Sequence, residues 1–173
     1  MKKLIPLILF LMLTFPGAVQ SQERVAFERL TIEIWPEYDE PSALVIYRGI
    51  LSPDTSLPTQ VTFQIPARAG QPNAVAVRGA DEQLISVQYE RVVRGDNAEI
   101  NFTATSEEIQ FEYYDPDLQK DGEHRAFIYR WPGYHRVRSA SFMVQKPRNA
   151  TDLEISPPFG ESFQGSNGLT YFR

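Results

Sequence analysis

The sequence contains no cysteine and only two histidines among its 173 residues. Without thiols the chain can form no disulfide, no thiolate zinc site, no iron–sulfur cluster and no covalent attachment to haem. Burial of apolar side chains must therefore stabilise the fold. A chain of this length can bury enough apolar surface in one or two domains.

The sequence also lacks any concentration of basic residues. Lys and Arg together number 17 against 22 Asp and Glu, which gives a formal net charge of −5. Proteins that bind nucleic acid or anionic lipid surfaces usually carry a basic patch that attracts phosphate groups. The composition therefore predicts no nucleic-acid partner and disfavours binding to an anionic membrane surface.

Motifs of catalysis are missing as well. The sequence has no G-x-S-x-G, H-E-x-x-H or S-x-x-K pattern. His124 and His135 each stand beside an arginine, and the favoured interpretation is that both lie at the surface or in turns. The sequence therefore predicts a non-catalytic protein. A hydrolase with a site near His124 and His135 is the alternative from the enzyme class, because a Ser–His–Asp arrangement is defined in space rather than in sequence.

Residues 1–21 have the order of a secretory signal peptide: Lys2 and Lys3, an apolar run over residues 4–15, and small residues up to Ser21. The run is shorter than the roughly 18 residues that would span a bilayer. We expect cleavage near Ser21 and a secreted, periplasmic or cell-surface protein with no membrane span after removal of the leader. The basic start and the lack of cysteine favour a bacterial source.

After the leader, helical periodicity is nearly absent and apolar residues alternate with polar ones. The alternating apolar positions are Leu30, Ile32, Ile34, Val61, Phe63, Ile65, Ile85, Val87, Tyr89, Ile100, Phe102, Ala104, Ile109, Phe111 and Tyr113. Gly, Pro, Asn or Asp separates most of these short runs. The pattern predicts an all-β fold, an antiparallel β-sandwich of the immunoglobulin-like, Greek-key type, rather than a parallel α/β fold.

We assign the sandwich to residues 24–116 and a loop or linker to residues 117–123. Residues 124–173 contain further predicted strands, at 126–131, 137–145, 153–155 and 169–172. These strands are too few to form a sandwich of their own. They either complete the first sandwich or begin a second, incomplete β domain.

Acidic residues between strands are candidate metal ligands. Asp115, Asp117 and Asp121 supply the hard oxygen ligands that calcium prefers. The spacing misses the EF-hand pattern, because Lys120 stands where that loop needs glycine. The acidic turn at residues 37–40 is similar, and calcium would bind where two acidic loops meet. A solvated loop is the favoured interpretation, and we predict no other cofactor.

Aromatic residues at predicted turns are candidate ligand-binding residues. Tyr38, Trp131 and Tyr134 are the aromatic residues that strand packing explains least, and exposed flat rings can stack on apolar ligand surfaces. The leading interpretation is an exported, non-catalytic β-sandwich module that binds a protein or cell-surface partner. The alternative is a carbohydrate-binding module, which a coplanar strip of exposed aromatic rings would indicate.

Overall fold

The computed structural model describes residues 24–173, so the predicted leader and its cleavage site lie outside the described residues. Strands dominate, and the one helical element in this part of the chain is a short 3₁₀ turn at Ala67–Ala69. The all-β prediction is confirmed. No helix within residues 24–173 is long and apolar enough to cross a membrane.

Within residues 24–173, thirteen strands form one eight-stranded sheet, one three-stranded sheet and one hairpin. In chain order they are β1 (Ala26–Pro36), β2 (Ala43–Leu51), β3 (Thr59–Pro66), β4 (Ala74–Arg78), β5 (Leu84–Ser86), β6 (Tyr89–Arg94), β7 (Asn97–Ala104), β8 (Glu108–Asp115), β9 (Gln119–Asp121), β10 (His124–Ala126), β11 (Arg136–Gln145), β12 (Ser162–Gln164) and β13 (Thr170–Phe172).

The large sheet has the strand order β12-β13-β11-β1-β2-β8-β4-β5. One of its pairs is parallel: β1 runs beside β11 from Ala26 opposite Arg136 to Ile34 opposite Val144. The sheet is therefore mixed, which corrects the prediction of purely antiparallel sheets. This pairing also brings β11 and β13 into the same sheet as β1 and β2, although both lie more than 80 positions further along the chain.

The small sheet has the order β3-β7-β6, and β9 pairs with β10 as a separate hairpin. Residues 117–123, predicted as a loop or linker, contain β9 and the turn of this hairpin. Gly122 takes a positive φ of 56° at the turn, a conformation that glycine adopts without steric cost.

The core lies between the large and the small sheet. Its centre is Phe63 of β3, whose ring centroid lies 4.8 Å from that of Phe111 and 5.0 Å from that of Tyr47. The apolar positions of β3, β7 and β8 are buried as predicted: Val61, Phe63, Ile65, Ile100, Phe102, Ala104, Ile109, Phe111 and Tyr113. Alternation places these side chains on one face of each strand, where burial of apolar surface stabilises the fold.

An extended segment, residues 127–134, covers part of the core that the narrower small sheet leaves open. Phe127, Tyr129 and Trp131 pack against the core, whereas Ile128 is exposed. The Tyr129 and Tyr47 hydroxyls are hydrogen-bonded at 2.7 Å, and burial raises the pKa of Tyr47 to about 12. The predicted strand at 126–131 is wrong beyond Ala126. The segment crosses the core, so its side chains alternate between partly buried and exposed, but its backbone forms no hydrogen bonds to a neighbouring strand within the described residues.

Two other predicted strands also differ from the structure. The run from Ile85 to Tyr89 is divided, because the chain makes its last hydrogen bond to the large sheet at Val87 and enters the small sheet at Tyr89. Ile85 and Tyr89 are exposed rather than buried. Residues 153–155 form no strand.

Candidate functional site

The three predicted ligand-binding aromatics do not form one surface. Tyr38 is exposed and its ring centroid lies 4.8 Å from that of Trp35. Trp131 is half-buried and packs edge-on against the buried ring of Tyr47, with the centroids 6.0 Å apart. The Arg24 guanidinium covers the ring of Tyr134 at 4.2 Å. No ring contact among the described residues joins Tyr38 to Trp131 or Tyr134.

Tyr38 belongs to a row of rings that continues through Trp35 and Tyr171 to Phe163. The ring plane of Trp35 is inclined by 62° to that of Tyr38 and by 59° to that of Tyr171. Phe163 stacks on Tyr171 at a centroid distance of 5.6 Å, so these two rings cover each other. The four rings therefore do not form the coplanar strip that a carbohydrate-binding module would present.

The two acidic loops do meet, but basic side chains fill the space between them. Arg125 Nε of the β9–β10 hairpin donates to both carboxylate oxygens of Glu37, at 2.9 and 3.0 Å. Lys120 Nζ lies 3.3 Å from Glu37 Oε1 and donates to the Pro41 carbonyl at 2.7 Å. The hydrogen bond from Arg125, with help from Lys120, lowers the pKa of Glu37. This contact holds the hairpin against the β1–β2 turn.

The candidate calcium ligands either accept hydrogen bonds from other groups or lie apart from one another. Both oxygens of Asp117 accept hydrogen bonds from the Arg68 guanidinium, and the Nε–Oδ1 distance is 2.6 Å. Asp115 is buried and its Oδ1 accepts the Asp117 N–H at 3.0 Å. Burial raises the pKa of Asp115. Asp121 lies in β9, opposite His124. Across residues 24–173, no three acidic or histidine side chains are grouped so as to hold a metal ion.

We expect calcium to leave the melting temperature unchanged, in the native chain and in Asp117→Ala alike, because Arg68 already occupies the Asp117 carboxylate. Differential scanning calorimetry with calcium and with a chelator measures this. Asp54→Ala, at an exposed turn, is the control for loss of one surface charge. A rise of several degrees with calcium that Asp117→Ala alone abolishes would contradict this expectation.

The two histidines occupy different environments. His124 is exposed in β10, whereas His135 is buried against the edge of β3. The His135 Nε2–H donates to the Thr62 carbonyl at 2.8 Å, because a carbonyl can only accept. Its ring packs edge-on against Phe27 at 5.0 Å and Phe63 at 5.3 Å. The interpretation of His135 as a surface or turn residue is wrong: it is a core residue that links the extended segment to β3.

Stability should fall in acid because of His135. Burial lowers the pKa of His135 from its ordinary value of 6.5. As the pH falls through that value, the unfolded chain binds a proton that the folded chain does not, so the free energy of unfolding decreases until the native ring is also protonated. His135→Gln keeps an N–H donor without a titrating ring, and we expect it to flatten this part of the pH profile.

Urea unfolding between about pH 5 and 7.5 measures the effect, since this window contains the ordinary histidine titration. His124→Gln is the matched control, because it removes the other histidine of the sequence from an exposed position. The loss of stability in acid should persist in this variant, because His135 is intact. Identical profiles for His135→Gln and the native chain would show that the buried ring does not contribute.

A further surface, which the sequence did not predict, lies where β5 and β6 meet. Ile85, Tyr89 and Val93, here called the edge patch, are 51%, 36% and 53% exposed. β5 is the last strand of the large sheet and β6 is the last strand of the small sheet. The adjacent Leu84, which is paired with Arg78, points to the other face of the large sheet, so the break in alternation at Leu84 and Ile85 does not indicate the patch.

The open edges of β5 and β6 lie on the same side of the molecule, because only Val87 and Gln88 separate the two strands. Within the described residues, β6 makes backbone hydrogen bonds to β7 alone, so its other edge has unpaired N–H and C=O groups. The edge patch therefore combines exposed apolar side chains with an open strand edge.

No protein-family model matches the chain, and a search of curated proteins finds no significant match. The function is therefore inferred from the geometry of the chain itself.

Proposed function

We propose that this protein is an exported, non-catalytic β-sandwich module that binds a protein partner along the edge patch. The observation that carries the proposal is the exposure of three large apolar side chains on two neighbouring open strand edges. Exposed apolar patches mark interaction surfaces. Open strand edges accept an additional strand from another chain.

The shared core supports the sandwich assignment. Phe63 of the small sheet packs on Tyr47 and Phe111 of the large sheet, so the inner faces of the two sheets bury each other. Export and an immunoglobulin-like, Greek-key order of the strands are part of this proposal and derive from the sequence pattern.

Binding would proceed by strand addition. An extended segment of the partner pairs with the open edge of β6 through main-chain hydrogen bonds, and its apolar side chains cover Tyr89 and Val93. Glu90 and Arg94 flank these residues and are exposed, so they provide the charged rim that surrounds an apolar contact. The partner is thus a protein with an extended segment of alternating apolar residues.

The carbohydrate alternative was predicted from Tyr38, Trp131 and Tyr134, and in the row of rings that contains Tyr38 the exposed rings are those of Tyr38 and Phe163. The Tyr38 ring is inclined to that of Trp35, and the Phe163 ring is stacked on that of Tyr171. Neither arrangement favours stacking on a sugar chain. The hydrolase alternative is disfavoured by His135, whose Nε2 is committed to the Thr62 carbonyl. Both observations support a protein partner.

The experiment selects peptides from a displayed random library on the mature protein. We expect enriched peptides to alternate apolar and polar residues. Val93→Lys should weaken binding of a selected peptide tenfold or more, about 1.4 kcal/mol, since it places a charge in the apolar contact. Thr103→Lys is the matched control, because Thr103 is also an exposed strand residue of the small sheet but points to the opposite face from Tyr89 and Val93. It should bind like the native chain.

A glycan array on the same protein separates the alternatives. Glycan binding that Tyr38→Ala abolishes and Val93→Lys preserves would replace our proposal with the carbohydrate-binding one. Peptide binding that is unaffected by Val93→Lys would also contradict it, because the patch would then not be the contact. Circular dichroism confirms that each variant is folded.

A further inference from the structure

A second open edge lies on β11, near the opposite end of the large sheet from β5. β11 pairs with β1 up to Val144, but with β13 only at Val144 and Gln145. Ser139, Ala140 and Phe142 are exposed. On the side away from β1, residues 137–143 make no backbone hydrogen bond within the described part of the chain.

The hydrogen-bonding groups on this edge can be assigned. Lys146 N–H donates to the Thr170 carbonyl, across to the β13 side, at 2.8 Å. Hydrogen-bonding direction alternates along a strand, and the β1–β11 register is unbroken. The N–H and C=O groups of Arg138, Ala140 and Phe142 therefore point to the open edge, where β13 does not reach.

We propose that β11 is a homodimerisation edge, on which β11 of a second copy pairs antiparallel about a two-fold axis at Ser139. In this register Arg138 lies opposite Ala140 of the second copy, and both residues point their N–H and C=O groups at each other. The two Ser139 residues face each other at the axis as a non-hydrogen-bonded pair. The main-chain groups left open on one copy are thereby satisfied by the other.

The chain itself selects this register. Only axes at a residue are allowed, because opposite residues must both point to the edge or both away from it. An axis at Arg138 would place that residue opposite itself, which like charges disfavour. An axis at Ala140 would bring the second copy opposite Val144, where β13 already lies. Ser139 lies between Arg138 and Ala140, and neither argument excludes an axis there.

The composition of the edge favours a second copy as the occupant. Residues 137–143 contain no proline and no lysine, the residues that most often protect an edge from pairing. Arg138 lies 3.2 Å from Glu28, which offsets part of its charge within each copy. Because β5 lies at the other end of the sheet, the dimer would leave the edge patch of both copies free. The inference is therefore independent of the proposed function.

A cysteine at the axis tests the register, and the natural sequence has none to interfere. Two opposed residues of a non-hydrogen-bonded pair have Cα atoms about 4.5 Å apart, within the range of a disulfide. With oxidised glutathione as the oxidant, Ser139→Cys should form a covalent dimer in high yield. Thr103→Cys, also exposed on a strand, should remain monomeric. Equal yields for the two variants would overturn the proposal.

Sedimentation across a range of concentrations tests the dimer without cross-linking. Ala140→Lys places a lysine opposite Arg138 of the second copy at two symmetric positions, and Ala140→Glu places a carboxylate there. The dimer dissociation constant should rise about 2- to 30-fold for Ala140→Lys and fall by a similar factor for Ala140→Glu. A native chain that is monomeric at all concentrations, or two variants that shift in the same direction, would contradict the proposal.

Discussion

Phe111→Ala is expected to lower the free energy of unfolding by about 3–5 kcal/mol. Phe111 is fully buried, and its ring lies 4.8 Å from Phe63 of the small sheet and 5.7 Å from Tyr47 of the large sheet. Truncation removes contacts with both sheets and leaves a cavity that rigid neighbouring rings cannot fill. The loss is a large part of the ~5–15 kcal/mol that stabilises a typical domain.

Urea or guanidinium unfolding measures this loss, and Phe163→Ala provides the control. Phe163 is 42% exposed and contacts Tyr171 from one side, so its truncation should cost clearly less. If Phe111→Ala were within about 1 kcal/mol of the native chain, the apolar side of β8 would not be in a packed core.

The sequence predicted this core because the signal is local. In β3, β7 and β8 an apolar residue occurs at every second position, and turn residues limit each run. One buried face of a strand requires that pattern. Phe63, Phe102 and Phe111 could therefore be assigned to the core without knowledge of which strands are neighbours.

The neighbours themselves could not be predicted. The parallel pair β1–β11 joins residues 110 positions apart, as at Thr31 and Ser141. Alternation shows that a face is buried but not which strand lies beside it. Glu33 illustrates the consequence: β1 is internal to the sheet, and this residue is buried with Arg48 Nε 2.6 Å from its carboxylate. Nothing adjacent to Glu33 in the sequence indicates that partner.

The same limit applies to the candidate sites. The sequence shows the carboxylates of both acidic loops, but Glu37 accepts a hydrogen bond from Arg125, which lies 88 positions further along the chain. Contacts of that separation decide whether a loop is a metal site or an ion pair. The edge patch depends on strand order in the same way, because Tyr89 and Val93 are exposed only since β6 is the last strand of its sheet.

Gly49→Ala should lower the free energy of unfolding by about 1–3 kcal/mol, although it adds one methyl group to a strand. Gly49 is buried within β2. A Cβ atom there would lie 2.5 Å from Phe27 Cε1 and 3.1 Å from Ile109 Cγ1. The Phe27 ring is itself buried and cannot swing away. Alanine ordinarily favours strands more than glycine does, so a loss would reveal the close approach of Phe27.

Gly160→Ala is the matched control for this prediction. A Cβ atom at Gly160 meets no heavy atom within 4 Å, and its φ lies outside the left-handed region. The substitution should be neutral or slightly stabilising, because it restricts the unfolded chain without strain in the folded one. A comparable loss in both variants would show that the effect at Gly49 is not one of packing.

A double-mutant cycle with Phe27→Leu identifies the contact responsible. Leucine lacks the outer ring atoms, including the Cε1 atom that approaches Gly49 most closely. Phe27→Leu alone should destabilise the protein, because it removes buried apolar surface. In that background, however, Gly49→Ala should cost clearly less than in the native chain, since the added methyl group occupies space that the ring has left. If the two losses instead add within about 0.5 kcal/mol, the residues are not coupled and the strain must be stored elsewhere.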